Sequence, residues 1–194
     1  MLYKYSRIIE PAQGVKYGTF KGYFPSSSVV FIKLPQGEEL YGWEGGFCKF
    51  ADALNRRTGF HVICSENHGD EISKKYDLAV LQEFIKASPY GCTDVRFVGV
   101  GDGATYGLSW LCRQMNFSKK LFINMPMSHE IGNTVELLNG VDRNNMRFVY
   151  GDKTPFYRYT PLLKRMYTDV VVIEGVNQTF SGRPKQFVGL EWMV

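Results

Sequence analysis

Hydrophobic and polar positions alternate in the first part of the chain and then give way to short apolar runs. Residues 5–10 and 17–24 alternate apolar and polar side chains, which is typical of an antiparallel hairpin with one solvated face. From Ser28 onward the pattern consists of continuous apolar runs at 29–34, 61–64, 95–100, 120–124, 146–150 and 169–174. Runs of this length predict strands buried on both faces of a parallel sheet.

Amphipathic stretches of helical length separate the apolar runs. They cover 47–57, 72–86, 104–115, 129–138 and 159–166, and Ser128 is a candidate N-cap for the fourth. Alternating strands and helices predict an α/β fold with three α/β/α layers and a mainly parallel central sheet of about eight strands. We expect the N-terminal antiparallel hairpin to precede this sheet, and the C-terminal end to be reduced. No repeat or linker divides residues 1–194, so a single domain is predicted.

Composition and charge restrict the class of protein. Hydrophobic residues make up 44% and charged residues 22%, as in soluble globular domains. The net charge of +4 is dispersed among acidic residues, so nucleic-acid binding is not expected. No apolar stretch has the length of a membrane span or a secretory signal, and we expect a soluble, cytoplasmic protein without a membrane partner. The short tail, 180–194, leaves open a homo-oligomer in which it docks on another subunit.

The four cysteines are far apart in the sequence and form no C-x-x-C pair. Because Cys48, Cys64, Cys92 and Cys112 lack the spacing of a zinc or redox site, we expect buried free thiols and no metal site. No cofactor is expected either.

A glycine-rich turn, Gly99-Val-Gly-Asp-Gly103, joins the strand predicted at 95–100 to the following helix. One interpretation is a dinucleotide-binding turn with the pattern G-x-G-x-x-G/A, matched by Gly99, Gly101 and Ala104. That fold would place the turn early in the chain and an acid at the end of the next strand, whereas this strand closes with Asn124-Met-Pro. A nucleotide-binding module is therefore the weaker hypothesis.

The other interpretation is the nucleophile elbow, G-x-S-x-G, on which a strained serine stands between a strand and a helix. The preceding segment 47–70 contains a helix, a glycine, a strand and the loop Asn67-His-Gly-Asp70 in the matching order. By these motifs and their order the chain resembles the α/β-hydrolase superfamily over about 29–180. The resemblance implies the fold of that family and a serine, acid and histidine triad.

The residues at the three triad positions carry none of the expected chemistry. The serine position falls on Gly101, the acid of a G-x-x-D pattern on Thr154, and the histidine after the last strand on Gln178. Glycine cannot attack a carbonyl, and glutamine cannot accept and return a proton as imidazole does. The resemblance thus implies a degenerate member without a triad, which binds a small-molecule ligand or a protein partner at the carboxyl edge of the sheet.

An active hydrolase of small esters or related acyl compounds with displaced residues is the alternative. A one-residue shift would place Asp102 at the nucleophile position, with His68 and Asp152 as further candidates. The simpler interpretation has Asp102 complementing the helix dipole and His68 ordering its loop.

Amides that stabilise an oxyanion in this family would lie around Gln36 and Gly37 and at Asp102. Trp43, in the stretch Gly42-Trp-Glu-Gly-Gly46, is expected at the pocket mouth. The predicted binding residues are therefore Gln36, Gly37, Trp43, Gly101 and Asp102.

Overall fold

The computed structural model describes residues 4–23, 28–87, 91–92, 94–127, 136–139, 141–166, 169–180 and 183–194. Most of the helix predicted at 129–138, with its N-cap Ser128, lies outside the described residues, although 136–139 are helical. The side chain of Trp43 also lies outside the described part, while its main chain is described.

Eight strands are described, each at a position where the apolar pattern predicts one. They are β1 Arg7–Ala12, β2 Val15–Phe20, β3 Ser28–Gln36, β4 His61–Asn67, β5 Asp94–Val100, β6 Lys119–Ile123, β7 Met146–Gly151 and β8 Val170–Ile173. Most strand ends lie within three residues of the predicted bounds, whereas β2 ends four residues before the end of the predicted segment 17–24.

Four helices whose bounds the structure describes lie in the connections between these strands, and a fifth follows β8. They are α1 Gly46–Thr58, α2 Asp70–Ala87, α3 Asp102–Tyr106, α4 Thr160–Met166 and α5 Pro184–Val188. Helix α3 continues through a widened turn, Gly107–Leu111, into the last turn at Cys112–Gln114. Single 3₁₀ turns precede α1 at Trp43–Gly45, precede α4 at Tyr157–Tyr159 and follow α5 at Gly189–Met193.

The strands form one sheet in the order β1-β2-β4-β3-β5-β6-β7-β8. Strands β1 and β2 pair antiparallel, β2 also pairs antiparallel with β4, and all other neighbours are parallel. The predicted architecture is therefore confirmed: a mainly parallel sheet of eight strands with an antiparallel hairpin at one edge.

The sheet buries apolar side chains on both faces, because successive residues of a strand point to opposite sides. In β3, Phe31 belongs to one core and Ile32 to the other. The first core includes residues of α2, α3 and α4, and the second includes residues of α1 and α5. Helices thus cover both faces and complete the three layers.

A buried ion pair lies inside the apolar run of β3. The Lys33 ammonium is fully buried, 2.7 Å from Asp77 Oδ2 of α2, and donates to the hydroxyls of Ser65 and Ser73. Asp77 Oδ1 accepts hydrogen bonds from Tyr17 and Ser65, each at 2.8 Å. Each charge therefore has the partners that a buried ion requires, and the network ties α2 to β2, β3 and β4.

All four cysteines are free. Cys48, Cys64 and Cys112 are buried as expected, whereas Cys92, which precedes β5 in the sequence, is only half-buried. Burial raises the pKa of the Cys48 thiol to about 11 and that of Cys64 to about 12. None of the helices in the described ranges is long and apolar enough to cross a membrane.

Candidate functional site

The turn between β5 and α3 holds a glycine in a conformation that other residues rarely adopt. Gly101 has φ 53° and ψ −126°. Its amide donates to the carbonyl oxygen of Ile123 at the end of β6, at 2.9 Å, and its carbonyl oxygen accepts from the amide of Ala104. Such a backbone is strained for residues with a side chain, and strain of this kind is concentrated at functional sites.

The two glycines that flank Gly101 are required by close packing. A Cβ at Gly99 would lie 2.4 Å from the Cα of Ala104, and one at Gly103 would lie 2.4 Å from the carbonyl oxygen of Lys33. At Gly101, in contrast, a Cβ would meet only the ring of Pro35, at 3.4 Å. The turn therefore has room for a side chain at position 101 and at neither flanking position, as the pattern G-x-S-x-G requires.

A cavity of about 120 Å³ lies beside this turn, at the carboxyl edge of the sheet. Its walls come from the end of β3, the start of α1, the glycine turn, the loop after β8, and α5. The lining residues are Pro35, Glu38, Gly46, Phe47, Val100, Gly101, Asp102, Gln178, Thr179, Phe180 and Phe187.

Gly101 and Gln178 line this same cavity although 76 positions separate them in the numbering. The loop that carries Gln178 is held by the buried side chain of Asn124, whose amide donates to the main-chain oxygens of Asn177 and Gln178 at 3.3 and 2.8 Å. Asn124 Oδ1 accepts from the amide of Gly151 at 3.0 Å. One side chain thus connects the ends of β6 and β7 with the loop after β8.

Thr154 lies in the turn after β7, and its side chain is buried. Its hydroxyl has no hydrogen-bond partner among the described residues, and its amide donates to the carbonyl oxygen of Gly151 at 3.2 Å. Thr154 is not among the residues that line the cavity. The structure therefore brings Gly101 and Gln178 to one cavity, and Thr154 does not belong to its described lining.

The candidates for displaced catalysis lie in three different places. Asp102 is exposed in the first turn of α3 and lines the cavity. Asp152 Oδ1 accepts from the amide of Gly175 at 2.7 Å, so this carboxylate connects the turns that follow β7 and β8. His68, in the loop after β4, has Nε2 3.3 Å from a carboxylate oxygen of Glu66 and does not line the cavity.

Of the predicted binding residues before α1, Gln36 and Gly37 are not among the described residues that line the cavity. Pro35 and Glu38, which flank these two residues, line the cavity, whereas Gln36 and Gly37 are exposed. Trp43 begins the 3₁₀ turn that leads into α1. In the turn after β3, Gly37 has φ 82° and the Glu38 amide donates back to the Pro35 carbonyl oxygen. The binding roles of Gln36 and Gly37 stay predictions.

Sequence reasoning missed the aromatic wall. Phe187 packs against Phe47 and Phe180 with ring centroids 5.6 and 5.2 Å apart. These phenylalanines belong to α1, the loop after β8 and α5. In its own segment, each one has the sequence pattern of an ordinary core residue. No local signal identifies them, because only the packing of α5 on α1 brings them together.

The charged residues in the described part of the cavity lining are both acidic. They are Glu38 and Asp102, and neither carboxylate has a hydrogen-bond or ion-pair partner within the described ranges. The described lining contains no lysine, arginine or histidine. Across the described residues, no group of three His, Cys, Asp or Glu side chains is arranged to hold a metal ion.

No protein-family model matches the chain, and no curated protein matches it. Among solved structures it is similar to an alpha-beta serine hydrolase homologue from Coxiella burnetii, with 16% identity, a TM-score of 0.69 and 98% of each chain covered. It is also similar to Est1E from Butyrivibrio proteoclasticus, with 13% identity, a TM-score of 0.67 and 95% of each chain covered. A third is an a/b serine hydrolase without a lid from Xanthomonas campestris, with 13% identity, a TM-score of 0.67, and 91% of this chain and 86% of that chain covered. At these identities the comparisons establish the α/β-hydrolase-like fold alone.

Proposed function

We propose that this chain is an α/β-hydrolase-fold protein that has lost the serine triad and binds a small molecule in the cavity at the carboxyl edge of its sheet. The observation that carries the proposal is the conformation of Gly101. The turn has the flanking glycines of a nucleophile elbow and a backbone conformation that would be strained for a serine, yet the residue at its apex has no side chain.

The other two triad positions support the same proposal. Gln178 lines the cavity with Gly101, where the family would place a histidine. Thr154 stands at the acid position with a buried hydroxyl, which cannot provide the negative charge that stabilises an imidazolium. A protein without the nucleophile no longer needs the acid or the histidine. Loss of catalysis therefore accounts for the residues at all three positions.

An active hydrolase based on Asp102 is the second candidate, since this carboxylate lines the cavity. Hydrolysis of an ester formed on an aspartate needs a base beside the water. The described lining contains no imidazole, His68 faces Glu66, and Asp152 is bonded to the amide of Gly175. These contacts favour binding over turnover.

A pyrophosphate at the glycine turn is disfavoured by charge. The cavity beside the turn is lined by Glu38 and Asp102 and by no cation among the described residues. Two carboxylates close to a phosphate would repel it, whereas dinucleotide sites rely on helix amides without competing negative charge.

The proposal is tested by incubating the purified protein with a fluorophosphonate probe and a panel of chromogenic esters. We expect neither labelling nor turnover. Specific labelling, or turnover that Asp102→Asn abolishes and Glu38→Gln retains, would contradict the loss of catalysis. Thermal shifts with dinucleotides address the nucleotide alternative, because a ligand at about 100 times its Kd stabilises a protein by about 2.7 kcal/mol. Stabilisation of that size by a dinucleotide would favour a nucleotide site.

A further inference from the structure

The walls of the cavity combine aromatic rings with carboxylates. Phe47, Phe180 and Phe187 form one side, and Phe187 is in ring contact with both of the others. Phe180 and Phe187 are almost completely buried, so their rings are held in place by packing. This side of the cavity offers a rigid apolar surface to a ligand.

The carboxylates of the lining come from the loop after β3 and from the first turn of α3. Glu38 and Asp102 have no partner among the described residues, so their charge is not neutralised by a neighbouring cation. Aspartate and glutamate are ordinarily ionised at neutral pH. The carboxylates therefore attract a cation and repel an anion, while the phenylalanines accommodate the apolar part of a ligand.

From these walls we infer that the ligand of this cavity is an organic cation, namely an amine or quaternary ammonium group on a small apolar body. The inference rests on the proposed function, because it assigns a ligand class to the same cavity. A dry engineered cavity of about 150 Å³ holds a benzene molecule. The present cavity, of about 120 Å³ and open at one side, therefore suits a single ring or a short branched chain with one charged group.

The charge of the lining also distinguishes this ligand class from the carboxylates that a surviving oxyanion site would take. An oxyanion site places amide hydrogens near the ligand and keeps carboxylates away from it. In this cavity Asp102 follows the elbow directly and Glu38 stands beside Pro35. A neutral carbonyl remains compatible with the lining, whereas a free carboxylate is excluded by repulsion.

The test uses three probes with the same ring and different charge: benzylammonium, benzyl alcohol and benzoate. Their Kd values for the full chain are measured by calorimetry or NMR titration at low salt. We expect benzylammonium to bind at least about tenfold more tightly than benzoate, with benzyl alcohol between them. Raising the salt concentration should reduce the ratio, because both carboxylates are accessible to counterions.

Variants locate the effect. The double variant Glu38→Gln with Asp102→Asn should bring the ratio of the two Kd values close to one. Glu39→Gln is the matched control, since Glu39 is exposed, adjacent in sequence and not part of the lining, and it should keep the preference. If the double variant fails to fold, the single variants Glu38→Gln and Asp102→Asn should each reduce the ratio, and an unchanged ratio in both would overturn the inference.

The possible results distinguish failure of the cationic-ligand inference from failure of the proposed function. Equal binding of all three probes, or tighter binding of benzoate, overturns the cationic ligand and leaves the cavity as a binding site. A preference that survives in the double variant also overturns it, because the charge would then lie elsewhere. Absence of binding by all three probes at millimolar concentration contradicts ligand binding in the cavity and thus the proposed function itself.

Discussion

The side-chain amide of Asn124 donates a hydrogen bond to the main-chain oxygen of Gln178 at 2.8 Å. Asn124 is completely buried at the end of β6 and also bonds the main chain at Gly151 and Asn177. Its own backbone has φ 47°, a region that asparagine tolerates better than most residues. The position of Gln178 at the cavity is thereby determined by a residue from another strand.

Asn124→Ala should lower the free energy of unfolding by about 1–3 kcal/mol, because it leaves a buried amide and two carbonyl oxygens without partners. Asn124→Gly removes the same side chain without the strain of a positive φ, so its loss should be smaller. Asn116→Ala, at an exposed position, is the control and should change little. Urea unfolding monitors the three variants; equal stability of Asn124→Ala and Asn116→Ala would show that Asn124 does not hold the loops.

The glycines of the turn should differ in their tolerance of alanine. Gly103→Ala should cost more than about 3 kcal/mol, because its Cβ would overlap the main chain of β3. Gly101→Ala should cost only about 1–3 kcal/mol, the strain of its backbone, because only the Pro35 ring is near. Gly189→Ala, with φ −62° and open space around it, should be neutral or stabilising. Thermal or urea unfolding gives the ranking, and a reversed order of positions 101 and 103 would contradict the assigned turn geometry.

Restoring the three triad residues should restore weak catalysis. We expect the variant Gly101→Ser, Thr154→Asp, Gln178→His to react with a fluorophosphonate and to hydrolyse small esters at least about tenfold faster than its control. The control carries Gly101→Ala with the other two changes and has the same backbone strain but no hydroxyl. Circular dichroism establishes that both variants are folded. A folded triple variant that behaves like the control would contradict the assignment of positions 101, 154 and 178.

His61 should make stability depend on pH near neutrality. Burial lowers its pKa below the ordinary value of 6.5, and the charge of Lys21 lowers it further. Its Nδ1 accepts a hydrogen bond from the amide of Gly22 at 3.2 Å, which requires the neutral ring. The unfolded chain therefore binds a proton more readily, and the stabilisation present above pH 6.5 is lost as the pH falls toward the pKa of the folded state.

The difference in unfolding free energy between pH 7.5 and pH 5 should be smaller in His61→Gln than in the unaltered protein. Lys21→Met should reduce it partly, since removal of the nearby positive charge raises the pKa of His61. Urea titrations at the two pH values measure this difference. Parallel behaviour of His61→Gln and the unaltered protein would assign the pH dependence to other groups.

The strands and most helices were predictable because their signals are local. A strand covered on both faces must be apolar at consecutive positions, so the run 95–100 identifies β5 without knowledge of its neighbours. The apolar run of β3 contains one charged residue, Lys33, which is buried with the rest of the strand. Its burial is possible only because Asp77 of α2 forms an ion pair with it. A local pattern identifies a strand or a helix. It does not identify the distant residue that allows a charged side chain to be buried within that strand.

The same distinction between local and long-range information applies to the candidate site. The sequence by itself determined the alternation of strands and helices and the glycine turn with Gly101 at its apex. Both features depend on residues that are close together in the chain, because these residues decide the local backbone conformation and the pattern of apolar burial. Only the tertiary structure decided that Phe47, Phe180 and Phe187 share one wall, and that Glu38 rather than Gln36 lines the cavity. Those facts depend on the packing of α5 against α1 and on the direction of a single turn, and long-range contacts of this kind leave no periodic signal in the chain.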